Sequence, residues 1–240
     1  MHMIDYTSDD FKSNLSKAEV AIVPIGSVEA HGHHLPLGTD IFSPRLFCKM
    51  INEKINDEIW IAPEIPYGQS YDLSIYPGTI HIPTEVMSSY VFFVGKSLYD
   101  NGIKKLIFLN GHGGNANALN LASEKLMQLG MDVIIINWWL DFSKEILTIT
   151  EGQGHAGEDE SSAILYYDKS LVQMDKALKN DKKPLMRVYF KDRGKILYDN
   201  ALSGDATKAT FEKGEKIFEV LTDKIIELIH NFKAEKYYTE

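Results

Sequence analysis

Four short apolar runs punctuate the first part of the chain: residues 20–25, 59–62, 105–109 and 132–138. Each is near-continuous in hydrophobicity, as expected of strands buried on both faces. Between them lie stretches with helical spacing. Residues 41–55 carry Leu46, Met50, Ile51 and Ile55 in register; residues 86–99 follow Thr84 as N-cap and close at Asn101-Gly102; residues 117–129 stop at Gly130. Alternation of strand and helix predicts an α/β domain around a mainly parallel sheet. Such sheets bind ligands beyond the carboxyl ends of their strands.

The loops that leave two of those carboxyl ends are unusual. The first, VPIGSVEAHGHHLPLGTD over residues 23–40, sets Glu29, His31, His33, His34 and Asp40 among Gly26, Gly32 and Gly38. Imidazole and carboxylate donors suit zinc, manganese or ferrous iron. In extended backbone Glu29 and His31 face the same side. The alternative is a polar surface loop rich in histidine. The second loop is NGHGGN, residues 110–115, directly after the third run. A third Gly-spaced loop holds His155 and leads through Glu158, Asp159 and Glu160 into a helix over 161–168. Acids are favoured in a first helical turn, which accounts for one or two of those carboxylates but not for His155. Five of the 8 histidines (His31, His33, His34, His112, His155) lie within two positions of a glycine, in three separate loops. That distribution points to one composite site. HExxH, cysteine-based zinc spacing, the GxSxG elbow and the P-loop are absent.

A net charge of -9 argues against nucleic acid or an anionic membrane as partner, since both need a basic face. The 1 cysteine, Cys48, cannot form an intramolecular disulfide, which fits a reducing compartment; it reads as a small core residue. The N-terminus lacks an apolar signal segment and no run reaches membrane-spanning length, so the cytoplasm is the expected location.

Residues 63–83 form a Pro- and Tyr-rich loop with an extended piece over 79–82, in which His81 reads as a strand-face residue. Residues 168–198 are charged and irregular, with an edge strand expected at 188–190. A turn and helix start follow at 203–207, then a long amphipathic helix over 209–232 and a frayed tail from 231. There is no repeat or linker, so residues 1–240 are expected to form one domain.

The three loops resemble the creatininase (creatinine amidohydrolase) family, through PIGSVEAHGHHLPLGTD at 24–40, NGHGGN at 110–115 and HAGEDESS at 155–162, in the family's order over roughly residues 15–235. The resemblance implies a three-layer α/β/α sandwich, two adjacent divalent metal ions (zinc, manganese or iron) and hydrolysis of an amide in a small-molecule substrate. It also implies a homo-oligomer, commonly a hexamer. Carried over by residue, Glu29 binds one metal, His31 the other and Asp40 both, with His112 on the Glu29 side. His155 becomes the proton shuttle. His33 and Gly113 fall on the substrate side, and Trp138 or Trp139 either shapes the pocket or packs in the core. Creatininase proper has a tyrosine and a glutamate ligand where this chain has Gly113 and Gly114, so Glu158 is expected to complete the second metal site. The same departure leaves three activities open: creatinine hydrolysis, deformylation of a formylamino-pyrimidine nucleotide, and another amidohydrolase reaction. A non-catalytic metal-binding module is the remaining alternative.

Overall fold

The computed structural model describes residues 1–55, 57–184, 186 and 188–238. Strands β1 (Val20–Ile25), β2 (Ile59–Ile61), β3 (Lys105–Asn110) and β4 (Asp132–Asn137) form one sheet in the order β2-β1-β3-β4, and every pair is parallel. The main helices are α1 (Ser8–Asn14), α2 (Thr39–Lys54), α3 (Thr84–Asp100) and α4 (Ala116–Gln128). After β4 come α5 (Trp138–Asp141), α6 (Ser143–Ile146), α7 (Glu158–Asp168), α8 (Arg193–Leu197) and α9 (Phe211–Lys233), with a two-stranded ribbon of β5 (Lys179–Asn180) and β6 (Gly204–Asp205).

The apolar runs are continuous because alternate residues feed two cores. On one face Val20, Ile22, Ile107 and Leu109 pack with Phe47 and Ile51 of α2 and with Ile217, Phe218 and Leu221 of α9. On the other, Ala21, Val23, Leu106 and Phe108 pack with Met87 and Val91 of α3 and with Leu119 and Ala122 of α4. The result is the three-layer α/β/α sandwich. Cys48 lies in the first of these cores.

The chain steps from β1 to β2 on one side, then returns to place β3 on the other side of β1. A crevice opens where strand order reverses in this way. The start of α2 is wedged into it. Pro44 has no N–H to offer the Asp40 carbonyl one turn earlier. That free carbonyl abuts Gly26 after β1 and Gly111 after β3, where a Cβ at either glycine would collide with it.

Several expected boundaries shift. Thr84 is the first residue of α3 and Pro83 holds the N-cap position, its extended ψ of 147° turning the chain into the helix. Residues 188–190 are not a strand. The tail is partly fastened: α9 runs to Lys233, Glu235 pairs with Lys105 at 3.1 Å, and the Tyr237 hydroxyl donates to Asp132 at 2.6 Å. Thr239 and Glu240, also expected in that tail, lie outside the described residues. No described helix is long and apolar enough to cross a membrane.

Candidate metal centre

Glu29 and His31 sit on the loop leaving β1, Asp40 is the second residue of α2, and His112 follows β3. His155 precedes α7 and Glu160 is its third residue. All converge at the crevice. His112 Nδ1 lies 3.2 Å from Glu29 Oε1 and 3.0 Å from Asp40 Oδ2. His31 Nε2 lies 2.9 Å from Asp40 Oδ1 and 3.6 Å from Glu160 Oε2. His155 Nδ1 faces Glu29 Oε1 at 3.6 Å, its ring 4.2 Å from that of His31. Two donor triads result, Glu29/Asp40/His112 and His31/Asp40/Glu160, with Asp40 common to both. His155 joins Glu29 and His31 in a third grouping.

The donor set calls for positive charge. Glu29 and Asp40 are 0% and 3% exposed, yet both Glu29 oxygens and Asp40 Oδ2 lack a well-directed hydrogen bond. Buried carboxylates left so are costly unless a cation or a strong donor faces them. Burial disfavours charge on His31, but Asp40, then Glu160 and Glu29, outweigh it and raise its pKa to about 10. His112 is raised well above the ordinary range against the same burial, by Glu29 and Asp40. Burial dominates for Glu160, which is held well above the carboxylate range, and for Asp159, pushed up to about 6. Burial and the neighbouring His31 lower His155 to about 4. The residues therefore fit divalent-cation binding, with Asp40 common to both donor triads.

The structure corrects the expectation for Glu158. Its Oε2 accepts from the Glu151 and Gly152 amides at 2.9 and 3.1 Å, and its Oε1 pairs with Lys213 of α9 at 2.6 Å. A helix turns about 100° per residue, so with Glu158 facing α9, Glu160 faces the cage. Glu160 thus stands where Glu158 was expected. Gly114 has a separate constraint: a Cβ there would collide with the Gln69 carbonyl and lie 2.5 Å from His112 Nε2. No side chain fits at that position.

A cavity of about 350 Å³ opens over the cage, walled by Gln69, Ser70, Gly113, Trp139, Tyr198 and Ser203 among others. Gly113 lines the cavity. Trp138 does not: it is buried in the core beside Phe47, and Trp139 faces the cavity instead. His33 is exposed and meets Asn200 at 3.2 Å, away from the cavity. His34 is buried and contacts the Ser161 hydroxyl at 2.7 Å. Sequence reading missed Glu160, Asp159 and Tyr198. Helical phase at 158–160 puts Glu158 and Glu160 on opposite faces but does not say which faces the cage, and nothing local marks Tyr198.

The parallel α/β sheet thus carries a carboxylate–imidazole cage at its switch point, where such sheets bind ligands. Residues 5–229 match the family model "Creatininase: Creatinine amidohydrolase", and the chain belongs to the creatininase family. It is 28% identical over 228 residues to the mycofactocin precursor peptide peptidase of Mycolicibacterium smegmatis, covering 92% of this chain and 88% of that one. It is also 28% identical over 233 residues to the creatinine amidohydrolase of Pseudomonas putida, covering 88% of each. The solved structure named "Creatininase Mn" superposes with a TM-score of 0.81 at 25% identity, covering 96% and 97% of the two chains. These relatives are hydrolases, and the chain is a hydrolase of this family.

Proposed function

We propose that the chain is a metal-dependent amidohydrolase that cleaves the C–N bond of a small-molecule amide, cyclic or formyl, at two divalent ions. The observation that carries this is the pair of buried triads sharing Asp40, with carboxylate oxygens of Glu29 and Asp40 lacking well-directed partners. Glu29, Asp40 and His112 would hold one cation, and His31, Asp40 and Glu160 the other. Zinc, manganese or iron bound there would supply an acidified water and polarise an amide carbonyl.

His155 supplies the proton traffic. Its Nε2–H donates to the Ala30 carbonyl at 2.9 Å, which turns the Nδ1 lone pair toward the cage. Depressed to about 4, it is neutral near pH 7. Its Nδ1 would take a proton from the attacking water and hand it to the departing nitrogen as the C–N bond breaks. Tyr198 packs edge-on against its ring at 5.4 Å, and Ser203 Oγ accepts from its backbone amide at 2.9 Å, so the ring is held for both transfers.

A second reading, hydrolysis of a terminal amide in a peptide, draws on an adjoining cavity of about 440 Å³ that shares Gln153, Tyr198 and Ser203 with the first. The peptidase relatives favour it too. Creatinine itself and a formylamino-pyrimidine nucleotide are the narrower candidates. A homo-oligomer, a hexamer on the family pattern, and a cytoplasmic location belong to the same proposal. The test is a panel of creatinine, lactams, formamides and short peptides with zinc-, manganese- or iron-loaded protein. Chelator-sensitive turnover of one class is expected. Metal-loaded protein inert to every class, with no competitive inhibition by any, removes the proposal and leaves a binding module.

A further inference from the structure

Metal ligation by His112 needs its Nδ1 bare and its Nε2 protonated, and the structure shows what fixes that. Nε2 is 2.8 Å from the Gln69 carbonyl, so the N–H there donates to it. The Ser70 hydroxyl, at 3.4 Å, is a weaker neighbour, itself 2.6 Å from the Ser27 hydroxyl. Gln69 belongs to the irregular 63–83 loop, and a loop carbonyl can orient an imidazole only if it is itself held. The far side of its peptide is held by the Ser70 amide, which donates to His81 Nδ1 at 3.1 Å; the near side of Gln69 is held by Asn115, 0% exposed. Its Oδ1 accepts from the Gln69 amide at 3.0 Å. Its Nδ2 donates to the Gly26 carbonyl after β1 at 3.1 Å and to Asn110 Oδ1 at the end of β3 at 3.3 Å. One carboxamide thus ties the loop to both strand ends of the crevice.

We infer that Asn115 is a positioning residue for the Glu29/Asp40/His112 site, acting through the backbone of Gln69, which it anchors on the amide side, to set the tautomer and aim of His112. The inference rests on the two-cation reading above. The other triad does not share this support: His31 is oriented by its own Nδ1 contact to the Glu29 carbonyl at 3.1 Å. Loss of Asn115 therefore affects one cation site and spares the other. Outer partners of a ligating histidine are worth about 10–100-fold in metal affinity.

The test is zinc titration of chelator-treated protein against a competing chelator, with bound zinc counted per chain. Wild type is expected to fill two sites. Asn115→Asp, which preserves shape but removes the donors to Gly26 and Asn110, should weaken one site by about 10–100-fold and leave the other unchanged. Asn115→Ala removes the whole clamp. Gly114→Ala gives an independent route, since its methyl wedges between the Gln69 carbonyl and His112 Nε2. Nitrogen-15 histidine spectra of the zinc-loaded protein add a readout that general loosening does not mimic. A slowly exchanging Nε2–H of His112 should vanish in Asn115→Asp and Gly114→Ala while the His31 signals persist. Variants that keep two zinc ions at wild-type affinity, or lose both together, overturn the inference alone. Folded wild-type protein that takes up no zinc overturns the two-cation reading and this inference with it.

Discussion

Asp40 is the residue that both triads need, and its replacement is the sharpest count of the cage. Asp40→Ala should remove both metal ions, and Glu160→Gln should weaken only the one beside His31; elemental analysis of the folded variants reads this directly. Glu158→Gln should leave metal content alone and cost on the order of 2 kcal/mol through its lost pairing with Lys213. His155→Ala should keep the metals and lower kcat about 10²–10⁴-fold; full activity in that variant contradicts its role in proton transfer. The three motifs led to most of the cage, because glycine-spaced histidines at strand ends are visible in one dimension. The choice between Glu158 and Glu160 was not visible. Three adjacent acids all satisfy a helix start, and what separates them is Lys213, which arrives on a helix far along the chain. Trp138 and Trp139 posed the same difficulty, since which indole turns inward depends on where β4 gives way to α5.

At the level of elements, the strands were legible almost to the residue. A doubly buried strand leaves no polar positions to blur its limits, and β1 spans the predicted residues 20–25. The 63–83 loop was legible only as a loop: its bonds to Asn115 and His112 join positions with no shared pattern. His34 shows how one such link behaves. It ties the first loop to α7 through Ser161, and burial, followed by the charges on His31 and His33, lowers its pKa to about 4. A depressed native pKa means that the unfolded chain takes up the proton first. The stabilising contribution is complete above about pH 6.5. It falls by up to ~3 kcal/mol as the pH drops toward that lower value. Melting curves between pH 4 and 8 should flatten in His34→Gln, and a slope identical to wild type would show that His34 is not the group responsible.

Across the whole molecule, the cage joins segments that only the finished fold brings together, from Glu29 to Glu160. An unfolded chain has no such site, so metal binding adds to stability by mass action. At a free concentration one hundred times Kd, one ion contributes about 2.7 kcal/mol. For a chain of this size, stripping it should lower Tm by roughly 5–10 °C; a scan unchanged by chelator would argue that the cations are absent or bind the unfolded state equally.

The same crevice divides labour among the segments that meet there. The cage residues sit on the loops leaving β1 and β3 and in the first turns of α2 and α7, whereas the cavity wall also draws on residues within 69–73, 139–143 and 198–203. Gln69, Tyr198 and Ser203 also orient His112 and His155, which leaves residues 139–143 as the part of the wall that shapes the cavity without doing so. Transplanting residues 139–143 between relatives should redirect which amide is accepted and leave the hydrolytic apparatus in place.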